Sequence, residues 1–392
     1  MLGIGHCRNN LGLMWATLKS LLPGRADYSA LPRTWKSDLL AGLTVGIVAL
    51  PLALAFGVSS GVGAEAGLIT AVVAGFIAAV FGGSNVQVSG PTGAMVVVLA
   101  PIVATHGAGS VIIVGLMAGV IVLLLGLFRL GRSVSFIPWP VIEGFTLGIA
   151  VIIFVQQIPA AVGSPKFAES TNAVVSGINA IFAANVDLAL WSLGAVLIVA
   201  LIMVVTPKVI PVVPGSIIGI VVITVFAELT RSPLVRIGEL PSSLGMPSFP
   251  DFAGVKIGEL IVPAIAVAAL AAIESLLSAR VAASMANTGV FNPDRELVGQ
   301  GLASVGSALF GGMPATGAIA RTAVNVRSGG KTRMAAIVHA LVLLAVVYLA
   351  TGPVSRIPLA GPVAKPGCLE DSAQHQARCR DLYRNGGHYP CP

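Results

Sequence analysis

Charge is scarce in this chain. Only 10% of its 392 residues are Asp, Glu, Lys or Arg, against roughly 25% in a soluble domain, so it cannot clothe itself in a water-facing surface. Aromatic residues are sparse too, at 6%. No cysteine lies between Cys7 and Cys368, and the remaining two, Cys379 and Cys391, sit in a polar tail without paired CxxC spacing. Even with His375 and His388 nearby, this is neither a zinc motif nor a disulfide framework, and no metal is expected. There is no nucleotide-binding P-loop, no HExxH and no GxSxG, so ATP-driven transport and proteolysis are unsupported; no enzyme activity and no cofactor are expected. The first apolar stretch, 11–22, is short, contains Lys19 and has no cleavage site, unlike a secretory leader.

What is abundant is Ala, Val, Leu, Ile and 46 Gly, giving 56% hydrophobic residues and a mean hydropathy of +0.93. Small residues at that density let helices approach closely inside a bilayer. The apolar runs are unbroken for about 20 residues, which excludes the alternating strands of a β-barrel. The chain is therefore an all-α polytopic membrane protein whose first partner is the lipid bilayer. Its net charge of +7 is scattered between the runs, as topology-setting charges are, so nucleic acid is not a partner.

Spans are expected at 38–58, 65–81, 109–128, 138–160, 187–206, 212–229, 258–281, 296–311 and 332–352. Two further apolar pieces, 91–104 and 318–327, are too short to cross alone; counting both gives eleven passes. Each follows a Gly/Pro-rich segment, GGSNVQVSGPTGAM (82–95) or GGMPATGAIARTAVN (311–325), and both segments carry Thr-Gly-Ala. Interrupted segments at matching places in two halves point to an inverted-repeat transporter, although two ordinary kinked helices would also produce them. Thirteen basic residues, from Arg8 to Arg333, fall on the N-terminal side of the membrane, against Lys166, Arg231, Arg236, Lys256 and Arg356 on the other. The N-terminus is thus expected in the cytoplasm, with 230–257 an external loop.

Ionisable residues at membrane depth cost roughly 2.5–3.5 kcal/mol each on insertion scales, so each needs a reason. Glu274 is the only charge in 261–279, Arg321 lies in the second short segment, and His339 lies in the last span. Glu274 reads as a coupling carboxylate or as a structural partner for a neighbouring helix. Arg321 either adds positive potential to a site or snorkels to the cytoplasmic face. A helix that begins at the midplane exposes unpaired N–H groups and about half a positive charge. Two such starts, with Thr92 and Thr316 as candidate caps, would make a site for a small inorganic or carboxylate anion.

At these residues the chain resembles the sulfate-permease (SulP) family of anion transporters. The resemblance is carried by DLLAGLTVGIVALPLALAFGVSSGV (38–62), the two Gly-rich segments, FIPWPVIEGFTLGIA (136–150) and IESLLSARVA (273–282), in order. It implies an inverted-repeat fold of seven plus seven segments with two half-helices, each preceded by a short extended segment. It also implies a core domain that moves like an elevator against a gate domain. Substrate contacts implied by the resemblance are Pro51, Leu52 and Phe56 on the first span, then Pro91, Thr92, Gly93 and Ala94 at one helix start. Thr316, Gly317, Ala318, Ile319, Ala320 and Arg321 form the other, while Glu274 occupies the position of ion or proton coupling, where a Glu favours the proton.

The implied organisation is a cytoplasmic segment (1–37), core spans 1–4 (38–132) and gate spans 5–7 (133–229). The external loop (230–257), core spans 8–11 (258–352) and a polar Cys-containing tail (353–392) complete the chain. The family would continue with three more helices, absent here, and many members add a STAS domain, also absent. The tail reads as a frameshifted or prematurely ended frame, or as a genuine short variant. The function expected is secondary active transport of sulfate or bicarbonate by a homodimer in a bacterial inner membrane. The alternative is a truncated, non-transporting relative or an assembly partner.

Overall fold

The computed structural model describes residues 21–134, 173–209, 215–234, 243–250, 255–285 and 291–349, with part of 144–164 and isolated positions at 236, 352, 355 and 357. Cys7, Cys368, Cys379, Cys391, His375, His388, Lys166, the segment 361–392 and most of 136–150 lie outside the described residues.

A long helix α1 (Leu31–Ser59) opens the body, with Pro32 in its first turn, where a missing N–H costs nothing. It starts inside the segment read from sequence as a cytoplasmic extension. Then come α2 (Ala64–Phe81), a two-residue strand β1 (Ser89–Gly90), the short helix α3 (Gly93–His106) and α4 (Gly109–Leu127). Further along are α5 (Ala173–Phe182), α6 (Val186–Val209) and α7 (Gly215–Leu229). The second half repeats the first: α8 (Ile257–Met285), α9 (Pro293–Leu309), strand β2 (Thr316–Gly317), the short helix α10 (Ile319–Arg327) and α11 (Arg333–Leu349). Five of the described helices, α1, α2, α4, α6 and α8, are long and apolar enough to cross a membrane.

Helices α1–α4 and α8–α11 pack as one body, whereas α6 packs chiefly on α7. The inner helix α9 is held between α2 and α4, and glycine makes that approach possible. A Cβ on Gly119 or Gly126 of α4 would lie 2.8 or 2.7 Å from the Val305 or Val298 amide of α9. Asn292 caps α9 by accepting from the Asp294 and Arg295 amides, both at 3.1 Å, with Pro293 opening the helix. Met95, Leu99, Ile113, Leu260, Leu297 and Met313 are among the buried side chains that fill the space between α3, α4, α8 and α9. The outer face of α6 instead exposes Leu190, Leu197 and Leu201, which fits contact with lipid.

At one end of the body a charged cluster ties the chain start to the loops. Both Arg295 terminal nitrogens donate to the Asp27 carboxylate, at 3.0 and 2.8 Å, and Arg333 lies 3.8 Å from it. Buried Glu296 accepts from the Gly83 and Ser84 amides at 2.7 and 3.1 Å. Buried Asp38, inside α1, accepts from the Lys331 and Thr332 amides at 2.7 and 3.0 Å.

Candidate functional site

Strands β1 and β2 pair antiparallel, Ser89 opposite Gly317 and Gly90 opposite Thr316. Because each strand runs straight into a short helix, α3 and α10 leave this crossing in opposite directions with their N-termini facing one another. The interrupted segments therefore do what their repetition suggests, and they meet in space although 224 residues separate their threonines.

Helix α8 binds the crossing together. The Thr92 and Thr316 hydroxyls both donate to Glu274 Oε2, at 2.9 and 2.8 Å, and the two hydroxyl oxygens are 3.1 Å apart. The next residue, Ser275, accepts the Gly317 amide on Oγ at 3.0 Å and the Gln87 side-chain amide on its backbone carbonyl at 3.3 Å. One turn further along α8, the Ser278 and Thr322 hydroxyls are 3.3 Å apart, and Thr322 accepts the Val88 amide at 3.0 Å.

This geometry revises the expected capping. Thr92 stands at the N-cap of α3, yet its hydroxyl makes no capping bond; it serves Glu274 instead. Thr316 lies in β2, and the cap position of α10 is Ala318, whose methyl side chain has no oxygen to offer. The Gly317 and Ala318 amides are consumed by Ser275 Oγ and by the Val88 carbonyl (2.9 Å). The leading amides of the two helices, Gly93, Ala94 and Met95 on one side and Ile319, Ala320 and Arg321 on the other, have no backbone acceptor. They present the positive ends of two helix dipoles.

Arg321 does not snorkel. It is 2% exposed and donates through Nη2 to the Pro91 carbonyl, with its guanidinium laid across Gly90. Arg321 and Glu274 are thus the charged residues at the crossing, one of each sign, while His339 is buried with its ring facing Gly75. Gly93, Ala94, Gly317 and Ala318 are buried, Ile319 is half-buried and Ala320 is exposed. Pro51, Leu52 and Phe56 are half-buried on α1, which packs against both α3 and α10. Sequence reasoning does not single out Gln87 and Ser275; their only signal is a polar side chain beside a residue already noted. Among the described residues, no group of three or more His, Cys, Asp or Glu is placed to hold a metal.

A helical membrane body with two opposed half-helices at a strand crossing is the architecture of an inverted-repeat transporter. Residues 35–361 match the sulfate permease family, and the chain belongs to it. It is 40% identical to the candidate sulfate transporter YvdB of Bacillus subtilis over 334 residues, covering 83% of this chain and 62% of that protein. Identity to the bicarbonate transporter BicA of Picosynechococcus is 36% over 341 residues, covering 84% and 60%. The solved transmembrane domain of a cyanobacterial BicA superposes with a TM-score of 0.75 at 34% identity, covering 84% of this chain and 85% of that one. Such relatives are named as transporters rather than enzymes, and the chain spans about 60% of their full length.

Proposed function

We propose that this protein is a secondary active transporter of small inorganic anions, sulfate or bicarbonate, coupled to protons through Glu274. The observation that carries this reading is the shared carboxylate: the threonines preceding both half-helices donate to Glu274 Oε2. A substrate anion drawn to the free amides of α3 and α10 would lie close to that carboxylate. Two like charges about 5 Å apart repel by roughly 3 kcal/mol at an effective dielectric of 20. Protonating Glu274 removes the repulsion and leaves Arg321 as a cation for the anion to balance. Anion and proton then favour each other's binding, and by linkage the effect is reciprocal.

In this role α1–α4 and α8–α11 form the moving core, and spans 5–7, including α6 and α7, form the gate. An elevator motion suits a site built wholly within one packed body, because the site can travel without being taken apart. Pro51, Leu52 and Phe56 then form the α1 wall of the anion site. The working protein is a homodimer in the bacterial inner membrane, with the Asp27 cluster on the cytoplasmic side. Tracer uptake into proteoliposomes tests the function, with sulfate and bicarbonate competing against labelled substrate. Saturable uptake stimulated by an inward proton gradient is expected; its absence from well-folded protein would favour a non-transporting family member.

A further inference from the structure

The first half of α1 carries an outward strip that the anion site does not use. Arg33 and Lys36 are exposed near the helix start, and Leu40, Leu43 and Ile47 follow them, exposed on the same face. Spacings of three and four residues keep all five in one narrow strip, while Asp38, Ala41 and Val45 are buried on the opposite side. At 1.5 Å per residue, Lys36 to Ile47 covers about 16 Å, half of the ~30 Å hydrocarbon core. The strip therefore passes from cations to apolar side chains over the depth of one leaflet.

Two more cations join it from the second repeat. The turn between α10 and α11 comes so close to α1 that a Cβ on Gly329 would lie 3.8 Å from Ser37 Cβ. Arg327 and Lys331, on either side of Gly329, are exposed. Asp38, the carboxylate beside this turn, is buried and already accepts the Lys331 and Thr332 amides and the Thr34 and Thr332 hydroxyls. Among the described residues, Arg33, Lys36, Arg327 and Lys331 have no carboxylate within ion-pair distance. Exposed Trp35 stands beside them, with the Lys36 ammonium 5.5 Å from its ring centre. Tryptophan at this level marks the headgroup layer of a bilayer.

We infer that Arg33, Lys36, Arg327 and Lys331 hold the headgroup of one anionic phospholipid, whose acyl chain lies along Leu40, Leu43 and Ile47. The fit is one of charge and depth together. A free inorganic anion would use the cations and leave the apolar strip bare. A zwitterionic lipid would cover the strip but bring a fifth cation to the four already there. The bound lipid ties α1 to the far end of α10, the short helix that carries Arg321, and so joins the two repeats. The inference needs only a chain held in a membrane, and it stands apart from the transport reading.

The test is a lipid titration of the purified full chain in uncharged detergent, read by thermal unfolding and native mass spectrometry. Phosphatidylglycerol is compared with phosphatidylcholine of the same acyl chains and with inorganic phosphate. Phosphatidylglycerol is expected to raise the unfolding temperature and to stay bound, and the other two to do neither. Each cation near an anionic lipid surface is worth about a fivefold change in affinity. Lys36→Gln combined with Lys331→Gln should therefore weaken phosphatidylglycerol about twenty-five-fold, whereas Lys36→Arg with Lys331→Arg should keep it. Arg129→Gln removes an exposed cation at the same end of the body and should change nothing. No response in wild type, or equal stabilisation by phosphatidylcholine or by phosphate alone, would overturn the inference. A loss in Arg129→Gln as large as in the double variant would reduce the effect to diffuse surface attraction and overturn it equally. Lipid-independent dimers that disappear in Leu40→Ser would assign the strip to a second copy of the chain instead.

Discussion

Glu274 is where the chemistry concentrates at the scale of single residues. One oxygen takes both threonine hydroxyls, and a neutral amide carbonyl of the same shape accepts the same two bonds. Glu274→Gln should therefore fold and bind anion while losing its response to an imposed pH gradient in proteoliposome uptake. A pH dependence identical to wild type would leave Glu274 a structural tie. Gly317 is constrained differently. A Cβ there would overlap the Gln87 amide and lie 3.1 Å from the Ser275 backbone, so even Ala requires the crossing to shift. Gly317→Leu should abolish uptake, with an overpacking cost of about 1–3 kcal/mol that leaves the protein extractable and monodisperse. Wild-type uptake in that variant would refute the site. Thr-Gly-Ala is legible in the sequence as a repeated motif, and so is Glu274 as a lone charge. The bond from Ser275 to Gly317 is not, because a serine inside an apolar helix ordinarily satisfies itself on its own turn.

Among the elements, close helix crossings decide which parts move together. Helices α1 and α2 touch through glycine on both sides: a Cβ on Gly57 would lie 2.9 Å from the Gly67 amide, and one on Gly67 3.0 Å from the Gly57 amide. Without water to drive association, such backbone approach supplies much of the packing energy between membrane helices. Gly67→Val should lower stability by about 1–3 kcal/mol, seen as a fall in the detergent unfolding temperature and a smaller yield of folded protein. An unchanged melt would mean that α2 can move away without penalty. From hydropathy, 296–311 reads as an ordinary crossing helix. As α9 it carries buried Asp294, Arg295, Glu296, Gln300 and Ser304, and protein rather than lipid surrounds it. Hydropathy marks where a helix can cross, but it cannot tell a lipid-facing surface from one covered by α2 and α4.

Over the whole molecule, the charged cluster at Asp27 joins the chain start to the loops of both repeats. Burial alone would push the Asp27 carboxyl up, but the Arg295 hydrogen bonds, the Gly24 amide and the nearby Arg333 charge hold it below the usual carboxylate range. A carboxyl depressed by folding contributes stability that is fully present above the ordinary Asp value of about 3.9. That contribution is lost as pH falls through the folded-state value. Asp27→Asn should therefore cost about 1.5–3 kcal/mol at neutral pH, the range for hydrogen bonds to charged groups. The difference from wild type should be full above about pH 3.9 and shrink as pH falls below that toward the folded-state value, and melting curves of both proteins across the acid range check it. A constant gap would mean that the aspartate shape, and not its charge, does the holding.

The sequence by itself determined the class of molecule, the positions of its long apolar helices and the two interrupted segments. Those properties follow from composition and local chain geometry: about 20 apolar residues must span as a helix, and Gly-Pro clusters must break one. It also marked Glu274 and Arg321, because a lone charge at membrane depth needs a reason. Only the tertiary structure decided what those residues touch. Thr92 and Thr316 serve a carboxylate and not their own helices, Arg321 turns inward to Pro91, and Asp27 finds Arg295 across 268 residues of chain. Partners so distant are chosen by which loops the packed helices bring to one end, and no local pattern encodes that choice.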